Sequence, residues 1–323
     1  MEHEIVIVMG PPGGGKTTHV QSLVKQGYTR INRDEIGGKL NSPDSKIYKV
    51  MQEQYKRGKR RFVLDNTYRN VAARRGLMVN ARQLNLPVRV LWLQTTREQA
   101  QLFAARRQIQ KFGVLFGKKE YKKHRKNPNM FPPMAQFAYW KQFEDPTMAE
   151  GFDSIEEVDV VTDFGSEYTG KALLLDYDGT LRLTNSGDHY PKEIGDVRAL
   201  EGRTAIIQEY IDKGYRILGI SNQSGVSQAS DSPKYVSDVT CRDCFDETNR
   251  QLGHDIEYLF APDRGGPPSS YWRKPMAGMG VVFIEKYKLN PDACIYVGDM
   301  KSDQTFAARA GFQFEWAKDF FGD

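Results

Sequence analysis

Two short stretches of this chain have the residue types and spacing to handle phosphate, in opposite directions. The first is Gly10-Pro11-Pro12-Gly13-Gly14-Gly15-Lys16-Thr17, directly after the apolar run 5–9. Glycines at Gly10, Gly13, Gly14 and Gly15 let backbone N–H groups wrap a triphosphate at a helix N-terminus. Lys16 is expected to reach the β- and γ-phosphates of ATP and Thr17 to ligate Mg²⁺ through its hydroxyl, with Thr18 beside it in the nucleotide site. The second stretch is Asp176-Tyr177-Asp178-Gly179-Thr180, after the apolar run 172–175. Asp176 has the chemistry to attack phosphorus and become an aspartyl-phosphate, with Mg²⁺ offsetting the repulsion between the two anions. Asp178 is placed to protonate the leaving alkoxide and then activate water.

Other segments complete each set. Asp34, in Asn32-Arg33-Asp34-Glu35, is a candidate general base for an attacking hydroxyl. Asp65-Asn66-Thr67 closes the next apolar run and offers a carboxylate to hold Mg²⁺ through water or to orient an arginine. Arg106 and Arg107, in a helix-forming stretch over 97–112, are expected to swing over the triphosphate and neutralise charge during transfer. In the second half, Ser221 and Asn222 follow the run 216–220 and offer a hydroxyl and an amide to phosphate oxygens. Lys274, in Arg273-Lys274-Pro275, supplies a positive charge to the same group. Asp299, in Gly298-Asp299-Met300-Lys301-Ser302-Asp303, joins Asp176 and Asp178 as a metal carboxylate, with Asp303 supporting it.

These residues need rigid elements to aim them. Apolar β-rich runs at 5–9, 61–65 and 88–95, and again at 173–177, 216–221 and 293–298, alternate with longer mixed segments. That is the pattern of parallel sheets covered by helices. The fold class expected is therefore α/β, and 323 residues suffice for two cores. The stretch 162–171 has no periodic apolar face, which puts the boundary between residues 165 and 166. Two tandem domains follow, 1–165 and 166–323.

The formal net charge of +5 is unevenly spread: 28 Lys+Arg against 17 Asp+Glu through Gly165, then 18 against 24. A basic half that also binds nucleotide points to a polyanionic partner, because clustered Lys and Arg gain affinity by counterion release. The basic stretch 113–133 interleaves Lys118, Lys119, Lys122, Lys123, Arg125 and Lys126 with Phe116, Tyr121 and His124, and is the expected strand grip. No stretch approaches the roughly 20 apolar residues of a membrane span. The polar start and three cysteines place the chain in a reducing, cytoplasmic compartment. Cys241-x-x-Cys244 lacks the four ligands of a structural zinc site.

Asn-Arg-Asp, Asp-Asn-Thr and the arginine pair resemble the kinase domain of polynucleotide 5′-kinase/3′-phosphatases. The segment 141–152 is similar to the end of that domain in the animal enzymes. The resemblance implies that Asp34 activates the 5′-hydroxyl of a nucleic-acid strand. The phage enzyme carries an arginine three residues after that aspartate, where this chain has Gly37, so its acceptor contacts cannot be carried over. The ordered motifs of the second half resemble the haloacid-dehalogenase phosphatase superfamily. Within it, Thr184-Asn185-Ser186-Gly187, Tyr190-Pro191 and Arg273-Lys274-Pro275-Met276 resemble the polynucleotide 3′-phosphatases. Small-molecule relatives often carry a zinc loop before the Arg-Lys-Pro. Here that stretch has no cysteine, and its Tyr271 and Trp272 are candidates to stack on a base.

The expectation is a P-loop NTPase kinase fold followed by a Rossmann-like haloacid-dehalogenase phosphatase fold. Acting on DNA or RNA strand ends with ATP and Mg²⁺, it would leave termini for a ligase. The rival readings are a fusion of a small-molecule kinase with a phosphatase for a nucleoside or sugar phosphate, and a non-catalytic nucleic-acid-binding protein.

Overall fold

The computed structural model describes residues 3–124 and 126–323. Its residues divide into two compact units. One comprises Met1–Phe103 with Arg125–Thr162, the other Ala104–His124 with Asp163–Asp323.

The first unit is built on five strands: β1 (Glu4–Met9), β2 (Thr29–Ile31), β3 (Arg61–Leu64), β4 (Val88–Leu93) and β5 (Ser154–Val158). They form one parallel sheet in the order β2-β3-β1-β4-β5. Every residue of β1 is buried. Ile5, Ile7 and Met9 face one core cluster and Val6 and Val8 another, so helices cover both faces of the sheet. The helices of this unit are α1 (Lys16–Lys25), α2 (Arg33–Ile36), α3 (Lys46–Lys56), α4 (Val71–Leu84), the first turns of α5 (Arg97–Phe112) and α7 (Pro133–Gln142), while α6 (Lys118–Lys123) falls in the second unit.

The second unit repeats the scheme. Strands β6 (Ala172–Leu175), β9 (Arg216–Asn222), β10 (Glu257–Ala261), β11 (Ile295–Gly298) and β12 (Gln313–Trp316) form a parallel sheet in the order β10-β9-β6-β11-β12. A small antiparallel pair, β7 (Arg182–Thr184) and β8 (Val197–Ala199), stands apart from it. Its later helices are α8 (Arg203–Asp212), α9 (Asp238–Leu252), α10 (Gly278–Tyr287), α11 (Lys301–Ala310) and α12 (Ala317–Phe321).

The division between units departs from the contiguous cut at 165/166. It falls inside α5, and the following helical hairpin packs with the second unit. The reason is burial: Leu115 and Phe116 are almost wholly covered, and the Trp272 indole donates to the Leu115 carbonyl at 3.2 Å. A Cβ on Gly278 would come within 2.5 Å of Leu115 Cδ2, so the hairpin lies directly on that glycine. Among the described residues no helix is long and apolar enough to cross a membrane.

Candidate active sites

In a parallel sheet, ligands gather beyond the carboxyl ends of the strands, and both sets of sequence candidates lie there. After β1 the glycine loop curls into α1. Gly15 caps that helix at φ 86°, a left-handed conformation that a side chain would strain. Lys16 folds back over its own loop, donating to the carbonyls of Gly10 (2.9 Å) and Pro11 (2.8 Å). Thr17 and Thr18 sit in the exposed first turn of α1. Two supports were not foreseen: Thr95 donates to the Gly14 carbonyl, and Gln136 to that of Pro12. Both come from remote segments, so no local spacing marks them.

Asp34 stands exposed on α2 beside Arg33, which donates to it at 3.0 Å. Asn32 caps α2, accepting from the N–H groups of Asp34 and Glu35, and its amide donates to the backbone carbonyl and carboxylate of Asp65. Asn66 in turn accepts from the Arg33 N–H at 2.7 Å. Asn-Arg-Asp and Asp-Asn-Thr are thereby joined across neighbouring strand ends. Asp65 also receives Arg30 at 2.6 Å, so it orients an arginine. A cleft of about 470 Å³ opens here, lined by Pro12, Arg33, Lys39, Thr67, Arg69 and Tyr139 among others.

Arg106 and Arg107 are placed differently from expectation. Arg106 pairs with Glu285 at 2.7 Å and lies over the Phe164 ring, while Arg107 is half-buried and its pKa is drawn down by burial. Arg106 is thus engaged within the second unit rather than free to cover a triphosphate.

In the second unit the chain leaves β6 into a tight turn at Asp176–Thr180. Gly179 has φ 88°, and a Cβ there would lie 2.2 Å from an Asp299 oxygen, so only glycine fits. Lys274 is almost wholly buried and its ammonium donates to Asp176 (2.6 Å), the Tyr296 hydroxyl (3.0 Å) and the Ile220 carbonyl (3.3 Å), with Asp303 at 2.7 Å. Burial alone would lower the lysine's pKa; Asp176 and Asp303 hold it above its ordinary value. Burial pushes the Asp176 carboxyl well up, Asp303 and Asp178 add to this, and Lys274 opposes it. Asp299 is raised by burial and by Asp303.

Carboxylate oxygens of Asp176, Asp299 and Asp303 lie within 4.8 Å of one another. Three crowded, partly buried carboxylates with one lysine form a hard-oxygen donor set that suits Mg²⁺. The side chain of Asp178 stands outside this trio, contrary to its expected place among the metal carboxylates. Arg182 holds one of its oxygens at 2.8 Å and Gln223 the other at 2.6 Å. Neither partner was anticipated, and Arg182 is marked in sequence only by its spacing of four residues. Gln223 also donates to the Ser221 hydroxyl at 2.9 Å.

Ser221 and Asn222 do reach the cleft, which measures about 710 Å³ and is also lined by Arg273, Lys274 and Asp299. The side chain of Asn222, however, is spent on the Lys274 backbone, accepting from its N–H (2.9 Å) and donating to its carbonyl (3.1 Å). It fixes the lysine loop rather than offering its amide to phosphate.

Three further expectations are corrected or clarified. Tyr271 is fully buried, so its ring is no stacking platform, whereas Trp272 is half-buried with its indole N–H donated to the Leu115 carbonyl. In the basic stretch, Phe116 packs against Phe112, Tyr121 and His124 inside the hairpin, while Lys119, Lys122, Lys123 and Lys126 are exposed. Arg125 and the Lys118 side chain lie outside what is described. Cys241 and Cys244 are buried in α9, where burial pushes their thiols to about 12 and about 11, and they pack as core residues.

A glycine-loop nucleotide domain followed by an Asp-x-Asp phosphatase domain is the class these two sheets define. The sequence model of the AAA domain matches residues 5–114, and that of the polynucleotide kinase 3 phosphatase family matches residues 171–321. The bifunctional polynucleotide phosphatase/kinase of Schizosaccharomyces pombe is 33% identical over 159 residues, 49% of this chain and 34% of that protein. The aligned stretch thus spans about a third of that relative's length. The D-glycero-beta-D-manno-heptose-1,7-bisphosphate 7-phosphatase of Haemophilus ducreyi is 31% identical over 44% of this chain and 79% of its own. A chain from the solved Pnkp1/Rnl/Hen1 RNA repair complex aligns over 98% of this chain and 96% of its own, with 14% identity and a TM-score of 0.34. The chain thus carries a segment similar to AAA domains ahead of a second half similar to the polynucleotide kinase 3 phosphatase family, and shares a 159-residue stretch with a bifunctional polynucleotide phosphatase/kinase.

Proposed function

We propose that the chain heals nucleic-acid ends, moving the γ-phosphate of ATP to a 5′-hydroxyl and hydrolysing a 3′-phosphate. The observation that carries this reading is the second site: Asp176 tied to Lys274, Asp178 two residues on with separate partners, and the family match over the same residues.

In the phosphatase reaction, Asp176 attacks phosphorus through a carboxylate oxygen, and the bond from phosphorus to the 3′-oxygen breaks. Asp178 gives its proton to that oxygen, then takes one from the water that hydrolyses the aspartyl-phosphate and frees inorganic phosphate. Ser221 and Lys274 contact the transferring group, and Gln223 and Arg182 hold Asp178 in place. Asp176 and Asp299, with Asp303 behind them, would hold Mg²⁺, which supplies charge neutralisation for the approaching phosphate.

In the kinase reaction, the loop Gly10–Lys16 and the first turn of α1 cradle ATP, with Thr17 toward Mg²⁺. Asp34 takes the proton of the 5′-hydroxyl as its oxygen bonds to the γ-phosphorus and ADP leaves. Arg33, Lys39 and Arg69 give the adjoining cleft the positive charge an acceptor strand needs. A ligase is the class of enzyme that uses ends so prepared.

The heptose bisphosphatase relatives support a second reading for the second half, hydrolysis of a small sugar phosphate. One assay separates the two. An oligonucleotide with a 5′-hydroxyl and a 3′-phosphate is incubated with ATP and Mg²⁺, and both termini are followed. End healing requires both to change. Lys16→Ala should abolish only the 5′ reaction and Asp176→Asn only the 3′ reaction. Inertness toward the oligonucleotide with brisk turnover of a sugar bisphosphate would establish the rival.

A further inference from the structure

The phosphatase fold itself is a poor host for a polyanion. Residues 163–323 hold 18 Lys+Arg against 25 Asp+Glu, and in the cleft Asp176, Asp178, Asp188 and Asp299 outnumber Arg182, Arg273 and Lys274. The hairpin that packs with it is the opposite: residues 104–124 hold seven Lys+Arg and one Glu.

Its charge is also directed. Lys119, Lys122 and Lys123 are exposed, and their spacing of three and four residues puts them on one face of α6. None of the three is in an ion pair among the described residues. The opposite side is half-buried: Tyr121 is held by Gln108 at 2.9 Å and packs on Phe116. The hairpin lies on the loop that carries the catalytic lysine, through Leu115 against Trp272 and Gly278. One residue beyond Trp272, Arg273 lines the catalytic cleft.

We propose that Lys119, Lys122 and Lys123 form the strand-binding surface of the 3′-phosphatase, gripping the phosphodiesters upstream of the 3′ end that enters the cleft. The hairpin thus serves the phosphatase although it precedes that domain in sequence. With Tyr121 turned toward Gln108 and Phe116, α6 offers mainly charge, so the grip is salt-dependent and largely indifferent to sequence. This rests on the end-healing reading and specifies how that site takes a strand rather than a small ester.

The test compares the full-length chain with Lys119→Glu/Lys122→Glu/Lys123→Glu on two substrates, a 3′-phosphorylated oligonucleotide and a 3′-nucleoside monophosphate too short to reach α6. The variant should lose at least about tenfold in kcat/KM on the oligonucleotide at low salt. Its log–log salt dependence should flatten by about 2, as three lost phosphate contacts imply. Turnover of the monophosphate reports that the cleft is intact. Equal loss on both substrates, or no loss on the oligonucleotide, overturns the proposal. If the parent chain already ignores the oligonucleotide while turning over a small ester, the end-healing reading falls and takes this proposal with it.

Discussion

Asp176 and Asp178 leave the same strand end, yet their partners give them different chemistry. The first is buried against Lys274, and the second is clasped by Arg182 and Gln223. Because Gln223 also holds Ser221, removing its amide should disorder Asp178, the proposed proton donor, without touching Asp176, the proposed nucleophile. Gln223→Ala is expected to lower kcat for 3′-phosphate removal about 10- to 100-fold, with a smaller change in KM, in steady-state assays. The carboxylate trio leads to a second expectation. Mg²⁺ should raise the melting temperature of the parent chain, and Asp299→Asn should lose most of that shift in a thermal-denaturation titration. Asp176 and Asp299 were legible because each directly follows a strand, and Lys274 because of its Arg-Lys-Pro setting. Gln223, Tyr296 and Arg182 were not, since their roles depend on which strand ends become neighbours. Asn222 was legible as a residue of the cleft but not in its task, which only the lysine loop reveals.

At the level of elements, the segment 141–152 resembles a family sequence without disclosing why it has that form. In the structure it closes around a fully buried arginine of α4. Arg74 makes two bonds to Glu150, at 2.7 and 2.8 Å, and donates to the carbonyls of Tyr68, Glu144 and Asp145. Removing one partner leaves a charge stranded in the interior. Glu150→Gln should therefore destabilise the first unit by about 3–5 kcal/mol, read as a lowered denaturant midpoint. The parallel strands themselves were plain from their apolar runs, because sheets covered on both faces need no alternation. The basic stretch misled for a related reason. Rings and lysines alternate in sequence, but wound into a short helix they separate onto a buried side and a wet one.

For the whole molecule, two sheets of five parallel strands each follow from the alternation of apolar runs with longer segments. The path of the chain between them does not, since nothing local distinguishes the first turns of α5 from its last. The contact of Leu115 with Gly278 and Trp272 is what commits the hairpin to the second unit. Leu115→Asp in the full-length chain should impair 3′-phosphate removal by at least about tenfold and lower the melting temperature, as expected when a polar group replaces a buried leucine. Its 5′-phosphorylation should be affected less, and following both termini of one oligonucleotide would show the contrast.

The split inside α5 also bears on how this protein can be taken apart. A fragment started anywhere in the connector at 163–171 would retain every residue of the proposed phosphatase site yet lose the hairpin that packs on Trp272 and Gly278. A faithful stand-alone version has to bring residues 104–124 with it, spliced in from upstream.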